Sequence, residues 1–153
     1  MAAEQQIPTE QDWGNYSDDL DQTYAHRIFS GKSRDEARNI FRNAVLERID
    51  ELRYMPPLPF RYYTLALRDY VTSKDAMESD MASDAASAFL DLILEKVLNS
   101  WNVIGPIMFE LLPAADYIAR HQPLYNASEK VYGRFADRYA EIQMRLQGQS
   151  TDD

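Results

Sequence analysis

The sequence predicts an all-α fold, a single-domain bundle of about five to seven helices around a central apolar helix at about 84–104. Three observations carry that prediction. Ala, Leu, Glu, Arg and Met outweigh Val, Ile and Thr, and only five glycines occur in 153 residues, a usage that favours helix over sheet. Apolar residues recur at helical spacing in stretch after stretch, and no convincing run has the period of two that a half-buried strand needs. Residues 85–112, AASAFLDLILEKVLNSWNVIGPIMFELL, are so apolar that they should be contacted from several sides.

In chain order, residues 1–16 hold Pro8, Gly14 and many polar groups and read as a flexible acidic N-terminal arm. Only Ile7, Trp13 and Tyr16 could anchor it. A helical domain over 17–147 and a flexible tail over 148–153 complete the expected organisation. Ser17 or Asp18 caps a first short helix with Leu20, Tyr24 and Ile28 along one face, and Gly31 stops it. Ser33 and Glu36 form a capping box for an amphipathic helix to about Tyr54. Its buried stripe is Ala37, Phe41, Ala44, Val45, Ile49 and Leu52, with Glu47, Asp50 and Glu51 outside. Pro56-Pro57 ends it, and Pro59 suits the first turn of a helix from Phe60 to about Thr72.

Residues 74–84 read as an acidic connection, with Ser79 or Ser83 capping the apolar helix. Gly105-Pro106 should break that helix. Pro113 either kinks the next helix or starts another. Asn126 and Glu129 offer a second box-like cap for a last helix to about Gln147, with Val131, Tyr132, Phe135, Tyr139, Ile142 and Leu146 as its inner stripe.

The net charge of −9 is unevenly spread, with six acids and no bases in residues 1–21 but nine bases and six acids in residues 22–72. Overall acidity argues against nucleic-acid binding, which needs concentrated Lys and Arg. The absence of cysteine removes disulfides, thiolate metal sites and cysteine nucleophiles. The first residues carry neither the basic cluster nor the apolar core of a secretory signal. The longest uncharged run, 97–109, is too short to span a bilayer. The expected location is cytoplasmic.

Motifs that suggest chemistry have simpler explanations. Ser30-Gly31-Lys32-Ser33 resembles the end of a phosphate-binding loop, yet position 26 is His26 rather than glycine, and a helix stop followed by a helix cap explains it. Asp80, Asp84, Asp91 and Glu95 could line one helical edge, but neither histidine follows a glutamate at the spacing of a carboxylate-bridged metal site. No Gly-x-Ser-x-Gly elbow occurs. No catalytic, metal-binding or cofactor-binding residue is therefore assigned.

The aromatic group around Met55-Pro56-Pro57-Leu58-Pro59 is the most unusual local composition. Tyrosine and arginine are enriched in binding hot spots, and prolines that fix a turn lower the entropy lost on binding. The competing explanation is a rigid turn whose aromatics pack inward. Tyr54, Arg61 and Tyr62, with Trp13 on the acidic arm, are the candidate contact residues. The expectation by elimination is a small acidic protein-binding module acting as an adaptor, regulator or toxin-neutralising partner, and not an enzyme. The alternative is an enzyme or small-ligand binder with a tyrosine- and carboxylate-lined pocket near Tyr132, Tyr139 or Glu110. Homo-oligomerisation through apolar surface is a third reading.

Overall fold

The computed structural model describes residues 6–150. Every regular element among them is helical. The chain divides into two compact units, one ending at Leu67 and the other starting at Arg68, whereas the sequence reading takes 17–147 as one domain.

In the first unit, the described part of the expected arm is held in place, residues 1–5 lying outside the description. Thr9 opens a short helix, α1 (Glu10–Trp13). Its hydroxyl accepts from the Asp12 amide at 3.3 Å, and the Asp12 carboxylate accepts from the Thr9 amide at 2.8 Å, satisfying two amides that a helix start leaves over. Trp13 is 1% exposed, with the His26 ring edge-on at 5.2 Å and Tyr63 at 6.3 Å between centroids. Burying an indole withdraws on the order of 200 Å² from water, enough to pin an otherwise polar segment. A 3-10 turn, Tyr16–Asp18, follows. Tyr16 stacks on His26 with centroids 3.7 Å apart, and Glu10 lies 2.5 Å from His26 Nε2.

Helix α2 (Leu20–Phe29) is capped by Asp19, whose carboxylate accepts from the Gln22 amide at 3.0 Å. It does not bury the expected stripe. Ala25 and Phe29 point inward, while Leu20 and Tyr24 are exposed. The Phe29 ring decides the rotation, because it packs 5.4 Å from Phe41 and 5.0 Å from Tyr63. Gly31, at φ 75°, makes the turn, and the expected Ser33–Glu36 capping box opens α3 (Arg34–Asn43). The Tyr63 hydroxyl sits 2.7 Å from the Phe29 carbonyl and 2.9 Å from that of Lys32, donating into the turn.

The amphipathic helix expected to run to Tyr54 is two helices. Ala44, at φ −159°, separates α3 from α4 (Val45–Leu52). Buried Ala37, Phe41, Val45 and Ile49 are spaced by fours, and each such step drifts about 40° around a helix of 3.6 residues per turn. A break restores the phase. The next helix, α5 (Pro57–Val71), begins earlier than expected. Pro57 and Pro59 sit in its first turn, where a missing amide costs nothing, and the Phe60 amide bonds the Pro56 carbonyl at 2.9 Å. The proline segment is thus a helix start rather than a loop.

The second unit contains a helix in what reads as the acidic connection: Ser73 caps α6 (Lys74–Glu78), accepting from the Ala76 amide at 3.2 Å. Helix α7 (Ala82–Asn99) buries Phe89, Leu90, Leu92, Ile93 and Val97. It is not enclosed all round to residue 104, since Leu98 is 47% exposed. The break falls at Ser100, at φ −147°, ahead of Gly105-Pro106, where Asn99, Ser100 and Asn102 all have low helix propensity. Helix α8 (Trp101–Ile104) and a 3-10 turn, Gly105–Ile107, lead into α9 (Met108–Arg120). Gly105 lies under the Trp101 indole, where a Cβ would stand 3.1 Å from Cε2. Pro113 stays inside α9.

The last helix is also divided. A 3-10 turn, Gln122–Tyr125, and Asn126 at φ 55° precede α10 (Glu129–Tyr132), which Ser128 caps instead of Asn126. Gly133, at φ 72°, ends it, and α11 (Phe135–Ser150) follows. Val131 is exposed, off the expected inner stripe. Of the expected tail, residues 148–150 continue α11 and the rest lies outside the description.

Buried and half-buried side chains close these breaks. The Gln122 amide donates to the Ala127 carbonyl at 3.0 Å and the Gly133 carbonyl at 2.8 Å, and its oxygen accepts from the Phe135 amide at 2.8 Å. The Tyr125 hydroxyl donates to the Val71 carbonyl at 2.8 Å. Arg138 donates to the Ser87 hydroxyl at 2.8 Å, to Asp91 at 3.0 Å and to the Tyr132 carbonyl. With Gln149 reaching the Val97 carbonyl, these contacts set α7 and α11 side by side in the same direction.

Gln122→Ala strands three backbone groups, two of them buried, and should lower the unfolding free energy by on the order of 2 kcal/mol, read by urea denaturation. A change below about 0.5 kcal/mol, the range of an ordinary surface substitution, contradicts the role given to this amide.

Candidate functional site

Helices α2 and α4 of the first unit flank an opening of about 450 Å³. The sequence places its lining by simple periodicity. On α2, Leu20 and Tyr24 are one turn apart, with Asp21 beside them. On α4, Glu47, Asp50 and Glu51 follow the three-and-four spacing of one face, and Tyr54 continues it just past the helix end, its amide 3.3 Å from the Glu51 carbonyl. Leu20 is 86% exposed. Singly exposed apolar residues are ordinary; here Leu20, Tyr24 and Tyr54 gather on one opening rimmed by acids.

Its electrostatics are unusual. Arg48 is the only basic residue against the four carboxylates of Asp21, Glu47, Asp50 and Glu51 among those lining the opening. Asp50 pairs with Arg53 at 2.9 Å. Glu51, read from the sequence as outward-facing, is 7% exposed. One of its oxygens, Oε1, meets Arg48 at 3.2 Å, while Oε2 and Arg48 Nε are buried without a hydrogen-bond partner. Burial pushes the Glu51 carboxyl up to about 7; Arg48 pulls it down, and Asp50 and Glu47 add to the rise. A charge with an unused acceptor is costly to bury, and a cation that supplied the missing donor would relieve that cost.

The candidate contact residues are not gathered on one surface. Tyr54 lines the opening. Trp13 is buried, and Tyr62 is buried with its ring edge-on to Tyr63 at 4.9 Å. Arg61 is half-buried. Leu20, Tyr24 and Glu51 were missed as site residues. Leu20 and Tyr24 carried the signal of core residues, and the only hint at Glu51 was an arginine three positions earlier.

The second unit has an opening of about 570 Å³ lined by Arg68, Thr72, Glu110, Pro113, Ala114 and Tyr117. Arg68 pairs with Asp69 at 2.9 Å and donates to the Glu110 carbonyl at 3.3 Å, and the Thr72 hydroxyl donates to the Arg68 carbonyl at 2.9 Å. Tyr132 donates to Asp84 at 2.6 Å and accepts from Ser83 at 3.0 Å, a tie between α10 and α7. Two acids of the expected carboxylate edge, Asp84 and Asp91, are therefore held by Tyr132 and Arg138. Among the described residues no group of three or more His, Asp or Glu side chains is arranged to hold a metal ion, and no helix is long and apolar enough to cross a membrane. Comparison with protein-family models, curated proteins and solved structures finds no match.

A buried carboxyl raised to about 7 keeps its proton in the folded state to higher pH than in the unfolded chain. The stability it confers is complete below about pH 4.5 and is lost as pH rises to about 7. From pH 5 to pH 8 the chain should lose on the order of 3 kcal/mol through this group, and Glu51→Gln should flatten that slope. Parallel slopes in urea denaturation at both pH values refute the assignment.

Proposed function

We propose that the chain binds another protein, as an adaptor, a regulator or a toxin-neutralising partner, and that the α2–α4 opening receives a basic segment carrying apolar side chains. One observation carries this reading. Exposed Leu20, Tyr24 and Tyr54 share the opening with four carboxylates and a single arginine. The apolar groups supply contact area and the tyrosines add directed polar atoms. The carboxylates select the sign of the partner and speed its approach. Asp18 and Asp19, immediately before α2, extend the acidic field on the side where that helix begins. An alternative, a small-ligand site using tyrosine and carboxylate groups, has the opening beside Glu110 in its favour. There the Arg68 and Thr72 side chains are already engaged with neighbouring groups, which leaves less to recognise a ligand.

The test uses three helical peptides of equal length bearing leucine on one face and lysine, glutamate or glutamine on the other. Isothermal titration should show saturable binding of the lysine peptide alone, weakening at least tenfold between 50 and 500 mM salt, and its loss in Leu20→Asp/Tyr24→Ala. Equal binding of all three peptides, or an unchanged double variant that remains folded by circular dichroism, rules the reading out.

A further inference from the structure

We propose that Glu51 makes the floor of a lysine subsite in the α2–α4 opening: its Oε2 accepts the ammonium group of a lysine side chain on the partner, whose alkyl stem lies along Leu20 and Tyr54. The inference deepens the protein-binding reading and rests on it.

Glu51 is 7% exposed and lines the opening, yet Oε2 has no hydrogen-bond partner. Oε2 is enclosed in the free chain, so a lysine reaches it by displacing the exposed Leu20 and Tyr54 side chains at the rim, and the unused acceptor favours that displacement. The same geometry distinguishes lysine from arginine. A guanidinium binds a carboxylate best as a fork across both oxygens, but Oε1 already meets Arg48 at 3.2 Å. One free oxygen suits a compact ammonium, a point charge on a flexible apolar stem. That stem needs apolar walls, and Leu20 and Tyr54 provide them at the rim. The Tyr54 ring can also face the cation. The Arg27 guanidinium lies 5.9 Å from the centre of the Tyr24 ring, so Tyr24 already serves a cation and Tyr54 is the better wall.

The probes are three blocked tripeptides, acetyl-Leu-X-Leu-amide with X as lysine, arginine or norleucine, and 1,4-diaminobutane as a free amine. Titrations at pH 8 follow the Glu carboxyl carbons and Tyr ring signals by NMR. The lysine peptide should bind at least tenfold tighter than the norleucine peptide and tighter than the arginine peptide, shifting the Glu51 carboxyl and the Tyr54 ring. Glu51→Gln should bring lysine down to the norleucine level. Equal affinity for lysine and norleucine on the unaltered chain overturns the subsite alone, because the preference of the opening for a basic helix is read separately with the longer lysine-, glutamate- and glutamine-faced peptides, and that comparison needs no variant to fold. An arginine peptide that binds as well as lysine overturns the single-acceptor argument. If diaminobutane equals the lysine peptide, the site belongs to free amines and the partner lysine is refuted. If neither lysine nor norleucine peptide binds, the docking reading falls with it.

Discussion

Each place where a helix stops strands backbone carbonyls and amides that must find new partners, and this chain stops its helices often. The donors that fill those gaps hold each unit together. Tyr63 donates into the turn after α2, and Tyr125 reaches the Val71 carbonyl. Gln122 serves two carbonyls and one amide, and Arg138 serves the end of α10 as well as α7. Both tyrosine hydroxyls are pushed upward by burial, so each stays protonated and remains a donor at ordinary pH. Buried side-chain donors contribute more through the desolvation they prevent than through the bonds themselves.

The all-α class was legible because helical spacing survives interruption: Phe41, Val45 and Ile49 are inside whether or not the helix is continuous. The interruptions were harder to see. Ala44 has no turn-forming chemistry, and its break follows from a geometric drift that only a packed partner face makes costly. Pro59 is legible as a first-turn residue, whereas Pro57 reads as a helix stop because a proline is equally at home just after a helix and at the start of one. The capping box at Ser33 was legible in full, being local. The box at Thr9 was hidden by the polar residues around it.

The opening between α2 and α4 was legible only in part. Tyr54 was singled out for its composition, which is a local property. Leu20 and Tyr24 have the spacing of core residues, and their exposure is decided by the choice of Phe29 as the residue that packs inward. Glu51 could not be distinguished from Glu47 by pattern, because both lie on the flank of the same helix. Burial is a tertiary outcome, and a single carboxylate becomes informative only when one of its oxygens is left without a donor.

The four-residue helices α1, α8 and α10 have a kinetic consequence. A helix needs about a dozen residues or more to persist in water by itself, so each of these forms only on a surface that already exists. Trp13 therefore reaches its place after α2 and Tyr63 are in position, and its fluorescence reports the closing step of folding in the first unit rather than the opening collapse.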